Sequence, residues 1–466
     1  MILGQISWLD CAIFLFFLAP QLLIHVGFFP TLVCGLKALP FICMYMLPSM
    51  LFQDRLFHQR KTTCRLGTCL IWLTGHAVIR LPLAFVYDHF FLEKSRRPPF
   101  VQQASWFEDI VIRCVRYAFA YIPAEIGRVF FSKGAAGPFL RWRMLRHGYM
   151  RKPIHWEEVK RKDFQGVWII KDKTRSPDVV VFYIHGGGFS MGTSYFYLEY
   201  LLAFVSLLSS SAKFSNPAIL ALEYTLVPQA LFPKQLLQVA AGYKYALIKT
   251  HDPSRVVISG DSAGGTLILS LLLHIGGPKA TINKIKNINM GGNDGSNSVE
   301  VANDIQGVLP GLAVLISPWT TLISPLHKNT RSDYLDVTAL HHYARQYVGS
   351  YHSPNDPAIS PGNCKDVLWW QRATPSKGYF VIWGKEEVFA PEIRKWVTLL
   401  EDSKIDVGFI EEDGGIHAWP VASLFLSSTK GERIKGLQMV VNFIGEKMNV
   451  AQATMSKLEA VERAQV

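Results

Sequence analysis

The chain has 466 residues, 49% of them apolar and 18% charged, with a formal net charge of +12. This composition suits a buried core and excludes a disordered chain. The positive excess bears on partners rather than fold. No zinc finger, RNA-binding aromatic signature or helix-turn-helix accompanies it, so nucleic acid is not an expected partner.

The N-terminus is the most apolar region. From Cys11 to Leu36 there is no Asp, Glu, Lys or Arg. A helix of that length reaches about 39 Å, more than the ~30 Å hydrocarbon core of a bilayer. The only charge before it is Asp10, and a cleavable signal peptide would carry a basic leader. Lys37 interrupts the run, and Ala38 to Gln53 is again free of charge. Pro20, Pro30, Pro40 and Pro48 punctuate the region, so one span, a re-entrant hairpin or two short helices all fit. Residues 1–55 are therefore expected to form a retained membrane anchor in contact with lipids. Arg55, Arg60, Lys61 and Arg65 follow it and favour a cytosolic C-terminal domain. The expected location is the endoplasmic reticulum membrane.

Residues 56–165 read as a helical cap and linker. Leu66 to Phe91 is apolar but broken by His76, Arg80 and Asp88, and Trp106 to Phe131 mixes apolar and charged positions at near-helical spacing. Leu81-Pro82 and Arg97 to Pro99 mark breaks. Arg141, Arg143, Arg146, Arg151, Lys152, Lys160, Arg161 and Lys162 then crowd together. They fit either a solvated helix face or a contact with anionic headgroups.

Near Val167 the pattern changes. Short β-branched and aromatic runs alternate with helical stretches: Val179–Ile184, Ala218–Leu222, Arg255–Ser259, Leu312–Ile316, Tyr379–Ile382 and Val407–Ile410. These read as buried parallel strands joined by helices, the α/β class. The catalytic domain is expected over 166–450, with a Gly/Asn/Ser-rich insertion at 279–306 and a tail at 451–466. The seven cysteines (Cys11, Cys34, Cys43, Cys64, Cys69, Cys114 and Cys364) show neither a disulfide framework nor zinc spacing. No Asn-x-Ser/Thr sequon is present.

Three strings carry chemistry. Gly260-Asp261-Ser262-Ala263-Gly264 lies between a predicted strand and a predicted helix, the context of a nucleophile elbow. Its glycines permit a sharp turn that lifts the Ser262 hydroxyl above the sheet, at a helix N-terminus whose N–H groups favour an oxyanion. His185-Gly186-Gly187-Gly188 follows another predicted strand, and consecutive glycines present N–H groups without side-chain obstruction. The alternative, a phosphate loop, fails for want of the following Lys and of the G-x-G-x-x-G frame. His417 lies on a Gly-rich loop near the C-terminus and completes the chain order Ser, acid, His. The acid is expected in Lys385-Glu386-Glu387-Val388, with Glu387 first and Glu386 second. Asp413 is too near His417 in sequence to orient it. Asp261, beside the nucleophile, should point elsewhere.

His185–Gly188 together with Gly260–Gly264 resembles the hormone-sensitive-lipase-type, or GDXG, branch of the α/β-hydrolases. Glu223-Tyr224-Thr225-Leu226-Val227-Pro228, Phe232-Pro233, Ser317-Pro318-Trp319 and His417-Ala418 extend the resemblance over roughly Phe164 to Phe443. It implies an α/β-hydrolase fold with a mostly parallel sheet, and a serine esterase, lipase or deacetylase. Its oxyanion donors map to Gly187, Gly188 and Ala263. Glu387 stands where that family has aspartate. The anchor adds a weaker resemblance to steryl acetyl hydrolases and arylacetamide deacetylases. The expected substrate is a small lipophilic ester such as an acetylated sterol, hydrolysed with no metal or organic cofactor. The same triad would support acyl transfer to an alcohol or amine, and the fold also serves non-catalytic binding proteins. The oligomeric state is not legible.

Overall fold

The computed structural model of the chain describes residues 1–32, 35, 81–277 and 304–464, with 81–82 and 450–464 by backbone alone. The apolar run 38–53, the basic group Arg55 to Arg65, nearly all of the insertion, and Cys34, Cys43, Cys64 and Cys69 lie outside the described residues.

Eight strands form one sheet: β1 (His155–Lys160), β2 (Gln165–Ile170), β3 (Val179–Ile184), β4 (Pro217–Glu223), β5 (Val256–Asp261), β6 (Leu312–Ile316), β7 (Tyr379–Gly384) and β8 (Val407–Glu412). Their order is β1-β2-β4-β3-β5-β6-β7-β8. Strands β3 to β8 are mutually parallel, while β2 runs antiparallel to both β1 and β4. All six expected strands are present. The β1–β2 hairpin was not expected: the sheet starts at His155, inside the stretch read as cap and linker. Its first strand, His-Trp-Glu-Glu-Val-Lys, is a charged edge strand that buries only Val159. Edge strands of this kind discourage further pairing and lack the apolar run that betrays a central strand.

Strands β3, β5, β6 and most of β7 are buried on both faces, which is why they read as unbroken Val/Ile/Leu/Phe runs. One face packs Val180, Phe182, Ile184, Ile258 and Leu315 against helices Lys234–Thr250 and Ala263–Gly276. The other packs Val179, Val181, Tyr183, Val257 and Val314 against helices Ser194–Ser210 and Lys430–Ala464. Each residue of Ala263–Gly276 is buried, so the helix after the elbow is itself core. In register, Ile184 pairs Gly260, Asp261 pairs Ile316, and Ile316 pairs Ile382. The loops after β3, β5, β6 and β7 thus leave the sheet at one edge, where α/β sheets bind ligands.

Four helices tie the N-terminus and the cap to this sheet: α1 (Trp8–His25), α2 (Trp106–Tyr121), α3 (Lys133–Arg146) and α4 (Ser194–Ser210). The expected 11–36 run is helical without a break only to His25. Gly27 at φ +94° then turns the chain, a conformation natural to glycine. α1 is long and apolar enough to cross a membrane. One side of it nevertheless lies on the body: Phe14, Leu18 and Leu22 pack with Val129 and Ala135. Met1 and Leu3 are buried in the main core. Asp10, fully buried, is capped by Ser7 and paired with Arg143 (3.1 Å) and Arg146. Arg143 also holds Glu199 of α4 through two bonds of 2.8 Å. Part of the basic cluster is thus an internal clamp. The other side of α1 is open, with Phe16 71% and Ile24 72% exposed.

Candidate active site

Ser262 sits between β5 and the buried helix at φ +52°, ψ −120°. A non-glycine residue held there is strained, and strain of this kind marks functional turns. The strand and helix on either side over-determine it. Its N–H donates to the Ile316 carbonyl (3.0 Å), and its carbonyl accepts from Trp319 (3.1 Å). A β-carbon at position 264 would collide with the carbonyl of Ile184, so only glycine lets the elbow approach β3.

The glycine loop after β3 lies against the elbow. Gly187 has φ +108°, closed to side-chain-bearing residues, and a β-carbon there would strike the Met191 carbonyl. Asp261 anchors this loop: its carboxylate accepts from the Gly186 N–H (3.0 Å), Tyr183 (2.8 Å) and Tyr197 (2.7 Å). It points away from the elbow's open side, as expected for the serine's neighbour. His185 is buried and stacked on Tyr224, with Nδ1 on the Gly186 carbonyl (2.8 Å). Burial pushes its pKa down to about 4. It is a neutral strut rather than a base. Among the described residues no protein acceptor takes the N–H groups of Gly187, Gly188 or Ala263.

His417 follows β8 on its glycine loop and is buried. Its Nδ1 lies 3.7 Å from Oε2 of Glu387. That gap is wider than a hydrogen bond, and such contacts commonly tighten when substrate binds. Glu387 is the inward residue of the pair after β7. Its Oε2 accepts from the Ser317 hydroxyl (2.6 Å) and the Gly384 N–H (3.3 Å). Glu386 is half-buried and engages the 330–332 loop instead. Asp413 is exposed and pairs with Lys385 at 2.7 Å. Among the described residues no hydrogen bond joins the Ser262 hydroxyl to the imidazole. The acid and base loops are tied through Ser317, the residue after β6, whose oxygen also accepts from the Ala418 N–H (2.9 Å).

Burial lowers the His417 pKa, against the negative charges of Asp333 and Asp261, and favours the neutral ring, which can accept a proton. Burial pushes the Glu387 carboxyl up to about 8, against its bonds from Ser317 and Gly384. Among the described residues no three His, Cys, Asp or Glu side chains group as a metal site.

A family described as having the alpha/beta hydrolase fold matches residues 181–421, over half of the chain. The chain belongs to the alpha/beta-hydrolase family. Among relatives, the putative steryl acetyl hydrolase mug81 of Schizosaccharomyces pombe is 26% identical over 62% of this chain and 76% of its own length. An acetyl-hydrolase of Streptomyces hygroscopicus is 25% identical over 54% of this chain and 77% of its own. The crystal structure of an esterase from the bacterial hormone-sensitive lipase family superposes with a TM-score of 0.53 at 20% identity. It covers 74% of this chain and 99% of its own, a likeness of fold. Membership in the alpha/beta-hydrolase family, with these relatives, supports carboxylic ester hydrolase activity. Ser317 belongs to the strings that carry the resemblance, but nothing in the sequence gives it a role. Sequence reasoning missed Asp333, a lone loop aspartate with no local pattern to signal it.

Proposed function

We propose that this protein is a membrane-associated serine carboxylic-ester hydrolase acting on a lipophilic ester, such as an acetylated sterol or natural product. The observation that carries the reading is the strained Ser262 backbone at the end of β5, facing a glycine loop whose N–H groups meet no protein acceptor among the described residues. Ser262 Oγ attacks the ester carbonyl carbon while His417 takes its proton. The N–H groups of Gly187, Gly188 and Ala263 hold the oxyanion. The tetrahedral adduct collapses, and the imidazolium returns the proton to the departing alcohol. Water, deprotonated by the same imidazole, then attacks the acyl-serine and releases the acid. Glu387 orients the ring and offsets its charge.

A short acyl group is favoured by the relatives named for acetyl hydrolysis. The membrane association is supported by an apolar face running from α1 to the cap. Trp8 meets Phe107 at 5.0 Å, and Phe90 meets Trp106 at 5.8 Å. Phe90 and Phe91 are exposed beside Lys94 and Arg96, the aromatic-plus-basic make-up of interfacial segments. Hydrolysis of p-nitrophenyl acetate, butyrate and octanoate in detergent tests the reading. Turnover of the short esters should vanish in Ser262→Ala, by about 10⁵-fold or more. No turnover and no fluorophosphonate labelling of the wild type would exclude it.

A further inference from the structure

The loop between β6 and helix Val337–Val348 carries a buried carboxylate outside the triad. Asp333 is 0% exposed. Its Oδ1 accepts from the N–H of His417 (3.0 Å) and of Tyr334 (2.9 Å), and its Oδ2 from the N–H of Val388 (2.9 Å). One side chain therefore joins the loop bearing the base to the residue after Glu387. Among the described residues no Lys or Arg side chain pairs with its carboxylate. Its own backbone is braced in turn: its N–H donates to Thr330 (2.9 Å), whose hydroxyl donates to the Glu386 carbonyl (2.8 Å). Its carbonyl accepts from Arg116 of the cap helix α2 (2.6 Å).

A buried carboxylate without a cation is costly unless hydrogen bonds hold it. Burial pushes its carboxyl up, and Glu387 adds to this, while the backbone N–H groups and the His417 ring pull toward the ionised form. The groups that face His417 are the carboxyls of Glu387, Asp333 and Asp261 and the rings of Tyr334 and Phe389. The imidazolium formed during turnover is the cation these carboxylates meet.

We infer that Asp333 is a positioning residue for the ester hydrolysis, fixing the base loop against the acid loop and holding a standing negative charge beside the imidazolium. This rests on the Ser262 hydrolase reading above. Asp333→Asn keeps the size and the two Oδ1 bonds, removes the charge and breaks the bond to Val388. With p-nitrophenyl acetate, kcat should fall about 10- to 100-fold, with KM within about twofold. The acidic limb of kcat/KM should move to lower pH, because losing a neighbouring negative charge lowers the pKa of both His417 and Glu387. Asp333→Glu, which keeps the charge, should return the limb to its wild-type position while kcat stays low. A folded Asp333→Asn protein with wild-type kcat and an unmoved limb overturns the inference. Should Asp333→Asn not fold, Thr330→Val carries the test. A fall in kcat of about threefold or more at unchanged KM supports the brace, and a wild-type kcat overturns it. A wild type that itself hydrolyses no ester and takes no fluorophosphonate sinks the hydrolase reading instead, a separate result.

Discussion

The N-terminal clamp and the catalytic edge both bury carboxylates, and they hold them differently. At the N-terminal clamp, Asp10 and Glu199 face the guanidinium of Arg143, itself fully buried, so negative charge meets a permanent positive one. At the catalytic edge, Asp261, Asp333 and Glu387 are held by tyrosine and serine hydroxyls and by backbone N–H groups. Neutral donors stabilise a carboxylate without cancelling its field. Charge in the clamp is used up in holding α1 to α3 and α4. Charge at the edge is left available, in the proposed mechanism, to the imidazolium that forms only during turnover.

That contrast can be broken at several points. Glu387→Gln keeps the shape and removes the charge and tautomer control, so kcat should fall about 10⁴-fold in ester hydrolysis. Arg143→Met strands the buried Glu199 and leaves Asp10 to Arg146, and thermal or urea unfolding should show a loss of about 3–5 kcal/mol, with activity per folded molecule unchanged. Asp261→Asn loosens the glycine loop, and kcat should drop by the equivalent of about 1–3 kcal/mol. The smallest expected effect is in pH. Burial holds the Glu387 carboxyl up to about 8, and the proposed mechanism needs it ionised, while burial also lowers the His417 pKa. The kcat/KM profile should therefore rise through neutrality and level off above about 8. That is about a tenfold gain over pH 7. A profile already flat from pH 6 would mean that the edge carboxylate is better stabilised than its neutral donors suggest.

The central strands were legible as contiguous apolar runs, and the turn at Ser262, the glycine loop and the loop of His417 could be placed beside them because each is a contiguous string. Which of Glu386 and Glu387 faces His417 depends on the turn after Gly384, which brings the second residue inward and leaves the first half-buried. The β1–β2 hairpin escaped because an edge strand such as His-Trp-Glu-Glu-Val-Lys buries too little to show a pattern. The apolar run after Cys11 was legible as apolar. Its docking was not, because the partner of Asp10 lies 133 residues away in Arg143. Asp333 failed for the same reason: its partners at Val388 and His417 lie 55 and 84 residues on.

The clamp bears on how the protein is prepared. Trimming a hydrophobic leader is an ordinary way to obtain a soluble enzyme. Here removal of residues 1–10 would take Met1 and Leu3 out of the main core and leave Arg143 facing Glu199 without Asp10. A truncation after His25 would also bare Val129 and Ala135. Material that precipitates after such trimming would be short of a piece of its own interior, and replacing the exposed residues Phe16 and Ile24 by polar ones is the gentler route to solubility.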